Sequence, residues 1–183
     1  MNMKNVLKSA IAILLLPING LAETPAPITI GDVEMKNDAK SAAFQKVLKK
    51  IGKWEGRMTQ GLTGKVFDVS YQYKLTSGGN TITETIIEDG VEMLTTYSDK
   101  DGELIVKHYC ALGTEPVFTV SKASEKVVTI ELDKSRSELH AVHDSFVTGM
   151  TWTMTSSNSM TFENTVLLDG ELTRNKAELR RVN

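Results

Sequence analysis

Between Asn80 and Cys110 the chain reads NTITETIIEDGVEMLTTYSDKDGELIVKHYC. Apolar and polar residues alternate along it, and Asp89-Gly90 and Asp101-Gly102 interrupt the alternation. An Asp-Gly pair between two alternating runs signals a two-residue hairpin, whose turn residues both need positive φ. The stretch therefore predicts three antiparallel strands, and Gly78-Gly79 predicts a hairpin to the strand before them. Such turns also fix register, since a slip of one residue would send every side chain to the other face.

With those pairs as turn centres, Leu75 faces Ile82, Tyr73 faces Glu84 and Tyr71 faces Ile86. On the next pair of strands Ile82 faces Tyr97, Glu84 faces Thr95 and Ile86 faces Met93. On the last, Tyr97 faces Val106, Thr95 faces His108 and Met93 faces Cys110. All of these share one face with Phe67, Val69 and Leu104, while the opposite face carries Asp68, Gln72, Lys74, Thr83, Thr85 and Lys107. The first face is the one expected to be buried.

That face carries a polar row, Tyr73, Glu84, Thr95 and His108. Strands lie about 4.8 Å apart, which puts Glu84 and His108 about 10 Å apart with Thr95 between them. A buried carboxylate needs partners, and the Tyr73 and Thr95 hydroxyls are in reach. Three readings follow. The row is a hydrogen-bonded network that closes the core, or it orients an apolar guest in a pocket, or Glu84 and His108 do acid–base chemistry. The candidate ligand-binding wall is Tyr71, Tyr73, Glu84, Met93, Thr95, Tyr97, His108 and Cys110.

The remaining sequence extends the same architecture. From Lys53 onward turn signals recur about every dozen residues and Pro116 is the last proline. The expected strands are Trp54–Gln60, Lys65–Leu75, Thr81–Glu88, Val91–Ser98, Glu103–Cys110, Val117–Ser121, Val127–Leu132, Glu138–Phe146, Met150–Thr155, Met160–Leu167 and Leu172–Val182. About ten antiparallel strands in sequence order predict an all-β, up-and-down barrel, because closure removes exposed edges. Before them, Phe44, Val47, Leu48 and Ile51 recur at helical spacing, with Asp38 as N-cap, Gly52 as C-cap, and Lys46, Lys49 and Lys50 on the other face. One amphipathic helix is expected over 38–51 to cover an end of the barrel.

The first 22 residues have the layout of a signal peptide: Lys4 and Lys8, an apolar run from Ala10 to Pro17, then Gly20-Leu21-Ala22. The run is too short to span a bilayer. Residues 1–22 are read as a signal peptide, 23–37 as a linker and 38–183 as one helix-plus-barrel domain, exported to the periplasm or beyond the cell. The net charge is −2, and losing Lys4 and Lys8 makes it more acidic. No basic face is visible for nucleic acid. Cys110 is the sole cysteine, so it forms no disulfide within the chain and is expected to be buried.

Other chemistry is sparsely signalled. No H-E-x-x-H, G-x-S-x-G, C-x-x-C or P-loop pattern occurs. His140 and His143 in ELHAVHDSF would suit a metal on a helix, but on the expected strand their rings diverge. No metal or cofactor is expected, with haem the one cofactor left open. The expected partner is a small apolar or amphiphilic molecule.

Two groups of residues carry a resemblance. Gly52-Lys53-Trp54, opening the first strand after a short helix, resembles the G-x-W signature of lipocalins and the wider calycin group. In that group the tryptophan plugs the barrel floor under an arginine from the last strand, which here would be Arg180 or Arg181. Glu84-Thr85, Glu92-Met93, Tyr97 and HYCALGTEP (108–116), with the later Thr151-Trp152-Thr153 and Glu178-Leu179-Arg180, resemble a family of small bacterial lipocalin-like β-barrel proteins of unknown function. Lys107 stands where that family has threonine, and Thr114 where it has asparagine. The resemblance covers most of 52–182 and implies a calycin-type barrel, related in shape to nitrobindin-like haem barrels. It implies no haem, because no proximal histidine aligns, and it supplies no activity.

Overall fold

The computed structural model describes residues 28–35, 39–137, 139 and 145–183. Residues 1–22, expected to form a signal peptide, and Asp38, His140 and His143 lie outside them. Within the expected linker, β1 (Thr29–Ile30) and β2 (Val33–Glu34) form a small exposed hairpin.

Ten strands follow the helix: β3 (Gly52–Thr59), β4 (Val66–Thr76), β5 (Thr81–Glu88), β6 (Val91–Lys100), β7 (Glu103–Tyr109), β8 (Val117–Ala123), β9 (Val127–Leu132), β10 (Phe146–Ser156), β11 (Ser159–Leu168) and β12 (Glu171–Val182). Each pairs antiparallel with its sequence neighbours, and β12 pairs with β3 to close the barrel. This is the expected up-and-down topology. Asp89-Gly90 and Asp101-Gly102 have positive φ at both residues, as two-residue hairpins of the primed type require.

The predicted registers hold across β4 to β7: Tyr73 pairs Glu84, Glu84 pairs Thr95, and Thr95 pairs His108. The last β6–β7 pair is Leu94 with Tyr109, so Met93 and Cys110 lie just past the ladder. Leu75, expected inside, is exposed; it lies past the pair of Gly52 with Tyr73, the last between β3 and β4.

Of the strand expected over 138–146, residues 138 and 140–144 lie outside the described residues. Phe146 opens β10, which runs unbroken to Ser156. Gly149, just ahead of the expected strand start at Met150, sits at a register shift against β11 between Val147 and Gly149. Such an irregularity bends a strand without ending it. Closure between β12 and β3 depends on another glycine: a Cβ on Gly56 would lie 1.9 Å from the Glu178 carbonyl oxygen.

The helix is shorter than expected. Helix α1 spans Ala42–Leu48 and is capped by Ser41, whose Oγ accepts from the Phe44 amide, not by Asp38. Phe44 and Val47 are buried against one end of the barrel. The Ser41 amide donates to Asp99 Oδ2 at 2.6 Å, and Lys40 donates to Asn80. After Leu48 the chain tightens into i→i+3 hydrogen bonds through Lys49, Lys50 and Ile51. That turn carries Lys50 off the solvent face where helical spacing had put it, and into the barrel.

Candidate functional site

The barrel interior has two parts. The end beneath α1 is filled by Trp54, Tyr73, Tyr97, Trp152 and the side chain of Lys50. The other end opens as a cup of about 360 Å³.

In the filled part, Lys50 is 2% exposed, and its Nζ lies 3.6 Å from the Trp152 ring centre, 4.6 Å from Tyr73 and 4.8 Å from Tyr97. The rings' negative faces surround the ammonium in place of water. Burial lowers the Lys50 pKa from 10.5 to about 7, while the charge of Glu84 pulls it upward. Burial likewise raises the Glu84 pKa, against the pull of Lys50 and neighbouring hydroxyls. Glu84 Oε2 accepts from the Tyr97 hydroxyl at 2.5 Å. The Tyr73 hydroxyl stands near Glu84 but outside close hydrogen-bond geometry, and it, Lys50 Nζ, Glu84 Oε1 and Trp152 Nε1 accept or donate no close hydrogen bond within the protein. Thr95 turns its hydroxyl to His108 Nδ1 at 2.9 Å. Tyr97 thus makes the close hydrogen bond to Glu84, and the expected Tyr73 and Thr95 hydroxyls stand near enough to help hold its pKa down.

Trp54 forms the floor below. Its Nε1 donates to the Lys50 carbonyl at 2.7 Å, and the Arg181 guanidinium lies 4.2 Å above its ring. Arg181 also donates to the Ile51 and Lys49 carbonyls, tying the last strand to the end of the helical segment. Arg180, the alternative, faces solvent. Gly52 has φ +118°, and a Cβ there would sit 2.8 Å from Arg181 Nη1. The glycine of the G-x-W triplet is what lets the arginine cross the tryptophan.

The cup at the other end is lined by Ile86, Met93, Val147, Met150, Phe162 and Val166 among its apolar groups. Its polar lining includes Glu88, His108 and Asn164, with Cys110 beside the mouth. Glu88 Oε1 accepts from the Tyr71 hydroxyl at 2.7 Å, and burial raises the Glu88 pKa. His108 is 3% exposed, and burial lowers its pKa to about 4, so it is neutral near pH 7. Asn164 is 7% exposed, and its Oδ1 has no partner. Burial also raises the Cys110 thiol pKa. Near the rim, Lys65 pairs with Asp89 at 2.6 Å.

The eight wall residues named from the sequence are therefore divided. Met93, His108 and Cys110 line the cup, and Tyr71 reaches it through Glu88. Tyr73, Glu84, Thr95 and Tyr97 lie at 1% exposure or less and are not among the cup's lining. Sequence reasoning missed Lys50, Glu88 and Asn164. Glu88 was legible in principle, since it shares the inward parity of Glu84 and Ile86, but its place at a strand end drew it into the Asp89-Gly90 turn.

Comparison with known proteins adds one firm result. No family model and no curated protein matches the chain. Among solved structures, a protein of unknown function from the DUF3598 family of Nostoc punctiforme PCC 73102 is similar, with a TM-score of 0.54 and 12% identity, over 74% of this chain and 49% of that one. The chain thus spans about half the length of that protein, and at this identity the likeness is one of fold. A redesigned beta barrel bound to DFHBI aligns over 77% of this chain and 100% of its own, with 15% identity and a TM-score of 0.38.

Proposed function

We propose that this chain is an exported barrel of the lipocalin-like, calycin type that holds a small apolar or amphiphilic molecule in its cup. The observation that carries the reading is the cup itself. It combines a volume of about 360 Å³, a largely apolar lining, and polar groups that include Glu88, His108 and Asn164, at one end of an otherwise filled barrel. Small-molecule sites generally have volumes of about 300 Å³ and upward and pair apolar walls with few orienting polar groups. The calycin part of the reading draws support from Gly52, Trp54 and Arg181, whose stacking gives the G-x-W resemblance a physical basis. Export rests on Lys4, Lys8, the apolar run and Gly20-Leu21-Ala22.

Acid–base chemistry by Glu84 with His108 has less support. His108 lines the cup, but Glu84 lies beneath it, its Oε2 held by Tyr97. A general acid or base must come within hydrogen-bond reach of the substrate atom it serves.

The test is binding of a neutral apolar fluorophore, N-phenylnaphthylamine, to the full chain and to a Val147→Trp variant that fills the cup. The reading expects fluorescence enhancement with the first and its loss in the folded variant. Equal enhancement by both would place the dye elsewhere and overturn it.

A further inference from the structure

The polar inventory of the cup carries an inference about the guest, one that rests on the cup being a binding site. Glu88 is a largely buried carboxylate whose hydrogen bond in the structure comes from the Tyr71 hydroxyl. No lysine or arginine other than Lys65 lines the cup among the described residues, and Lys65 is held by Asp89 at the rim. The remaining buried cation, Lys50, sits among aromatic rings at the other end of the barrel, where its charge acts on Glu84. Glu84 itself lies four residues below Glu88 on the same face of β5 and adds negative potential from beneath. His108 turns Nδ1 to Thr95 and contributes no positive charge near neutral pH.

A second observation points the same way. Asn164, on β11, is more than nine-tenths buried and lines the same cup, and its Oδ1 has no partner. An unpaired amide oxygen costs free energy until a donor reaches it. Beyond the pair of Lys65 with Asp89 and the Gln60 and Asn175 amides that also line it, the cup offers the Glu88 carboxylate and the unpartnered Asn164 amide, and its one lining cation is already paired with a carboxylate.

We propose that the guest is an amine with an apolar body, bound as its ammonium with the nitrogen against Glu88 and Asn164. The three N–H donors of a primary ammonium can serve both groups at once. Charge-assisted hydrogen bonds of this kind are about twice as strong as neutral ones. A fatty-acid carboxylate would instead meet Glu88 as a like charge.

The test compares octylamine, octanol and octanoate, which share one apolar tail, by titration calorimetry on the full chain. Octylamine is expected to bind about tenfold tighter than octanol, with octanoate weakest. Glu88→Gln should close the gap between amine and alcohol and leave octanol binding in place. Tyr71→Phe, which withdraws the donor at Oε1, should tighten octylamine by a few-fold and serves if Glu88→Gln does not fold. Octanoate binding as tightly as octylamine, or a folded Glu88→Gln that binds octylamine undiminished, would overturn the amine assignment and leave the cup as a binding site. If none of the three binds, both the assignment and the binding role fail.

Discussion

The Tyr97 hydroxyl donates to Glu84 Oε2 at 2.5 Å, reaching past Ile82, its paired residue, to the residue two places along β5. Tyr71 repeats the same diagonal from the other side of β5, passing its partner Ile86 to reach Glu88 at 2.7 Å. The two carboxylates of β5 are thus held by tyrosines from its two flanking strands. One pair is sealed in the core, and the other borders the cup.

The difference in burial sets different costs. Tyr97→Phe leaves a fully buried carboxylate oxygen without its donor and should destabilise the fold by about 2 kcal/mol. Tyr71→Phe should cost under about 1 kcal/mol, because Glu88 borders a cup that solvent can enter. Urea denaturation of both variants checks this, and equal losses would contradict it.

Lys50 makes stability rise with pH. Its folded pKa is about 7 against an ordinary 10.5, so between those values the unfolded chain binds the proton more fully. The fold is therefore penalised at the acid side of that window and recovers as pH rises through it. Lys50→Met should abolish the rise, measured as urea midpoints from pH 7 to 9.5. It should also match or exceed the native chain near pH 7, since buried charges are often replaceable by apolar groups of similar size. A rise that persists unchanged in the variant would show that Lys50 is not its source.

His108 acts in the acid range. Its folded pKa of about 4 lies below the ordinary 6.5, so its contribution is lost as pH falls from 6.5 toward 4. Glu84 and Glu88 have raised pKa values and work in the opposite direction, because their protonated forms suit the fold. The comparison with His108→Gln isolates the histidine. The native chain should lose stability more steeply than the variant on acidification, by up to about 1.4 kcal/mol per pH unit. Parallel curves would remove His108 as the cause.

Arg181 and Gly52 form one device at the barrel floor. Arg181→Lys loses the planar stack on Trp54 and the fork to the Ile51 and Lys49 carbonyls, and should cost about 1–2 kcal/mol. Arg180→Lys should leave thermal stability unchanged. Gly52→Ala combines a positive φ with a Cβ close to Arg181 Nη1, and it should cost at least about 1 kcal/mol. Equal melting temperatures for the two arginine variants would contradict the assignment of the stacking role to Arg181.

Most of the fold was legible because it is written in local chemistry. Asp89-Gly90 and Asp101-Gly102 are turn pairs of one kind, and from them the pairing of Glu84, Thr95 and His108 follows by counting, as that of Tyr73 with Glu84 does from Gly78-Gly79. Counting cannot say how far along the axis the interior is filled. Glu84 and Glu88 share one face of one strand, yet the first is sealed and the second borders a cavity. What separates them is Trp152 and Lys50, brought in by distant segments. Lys50 was hidden because helical spacing was carried past Leu48, where the backbone changes to i→i+3 bonds. The start of β10 at Phe146, ahead of the expected Met150, was equally hidden, because the register shift at Gly149 has no signature in the apolar–polar alternation.

The central claim, that the cup holds a guest, is tested most directly by native mass spectrometry of the chain purified from its own host. The account predicts a one-to-one adduct that is released on collisional activation and is absent from the Val147→Trp variant. Bare-chain mass alone, unchanged after incubation with octylamine, octanol or octanoate, would contradict it.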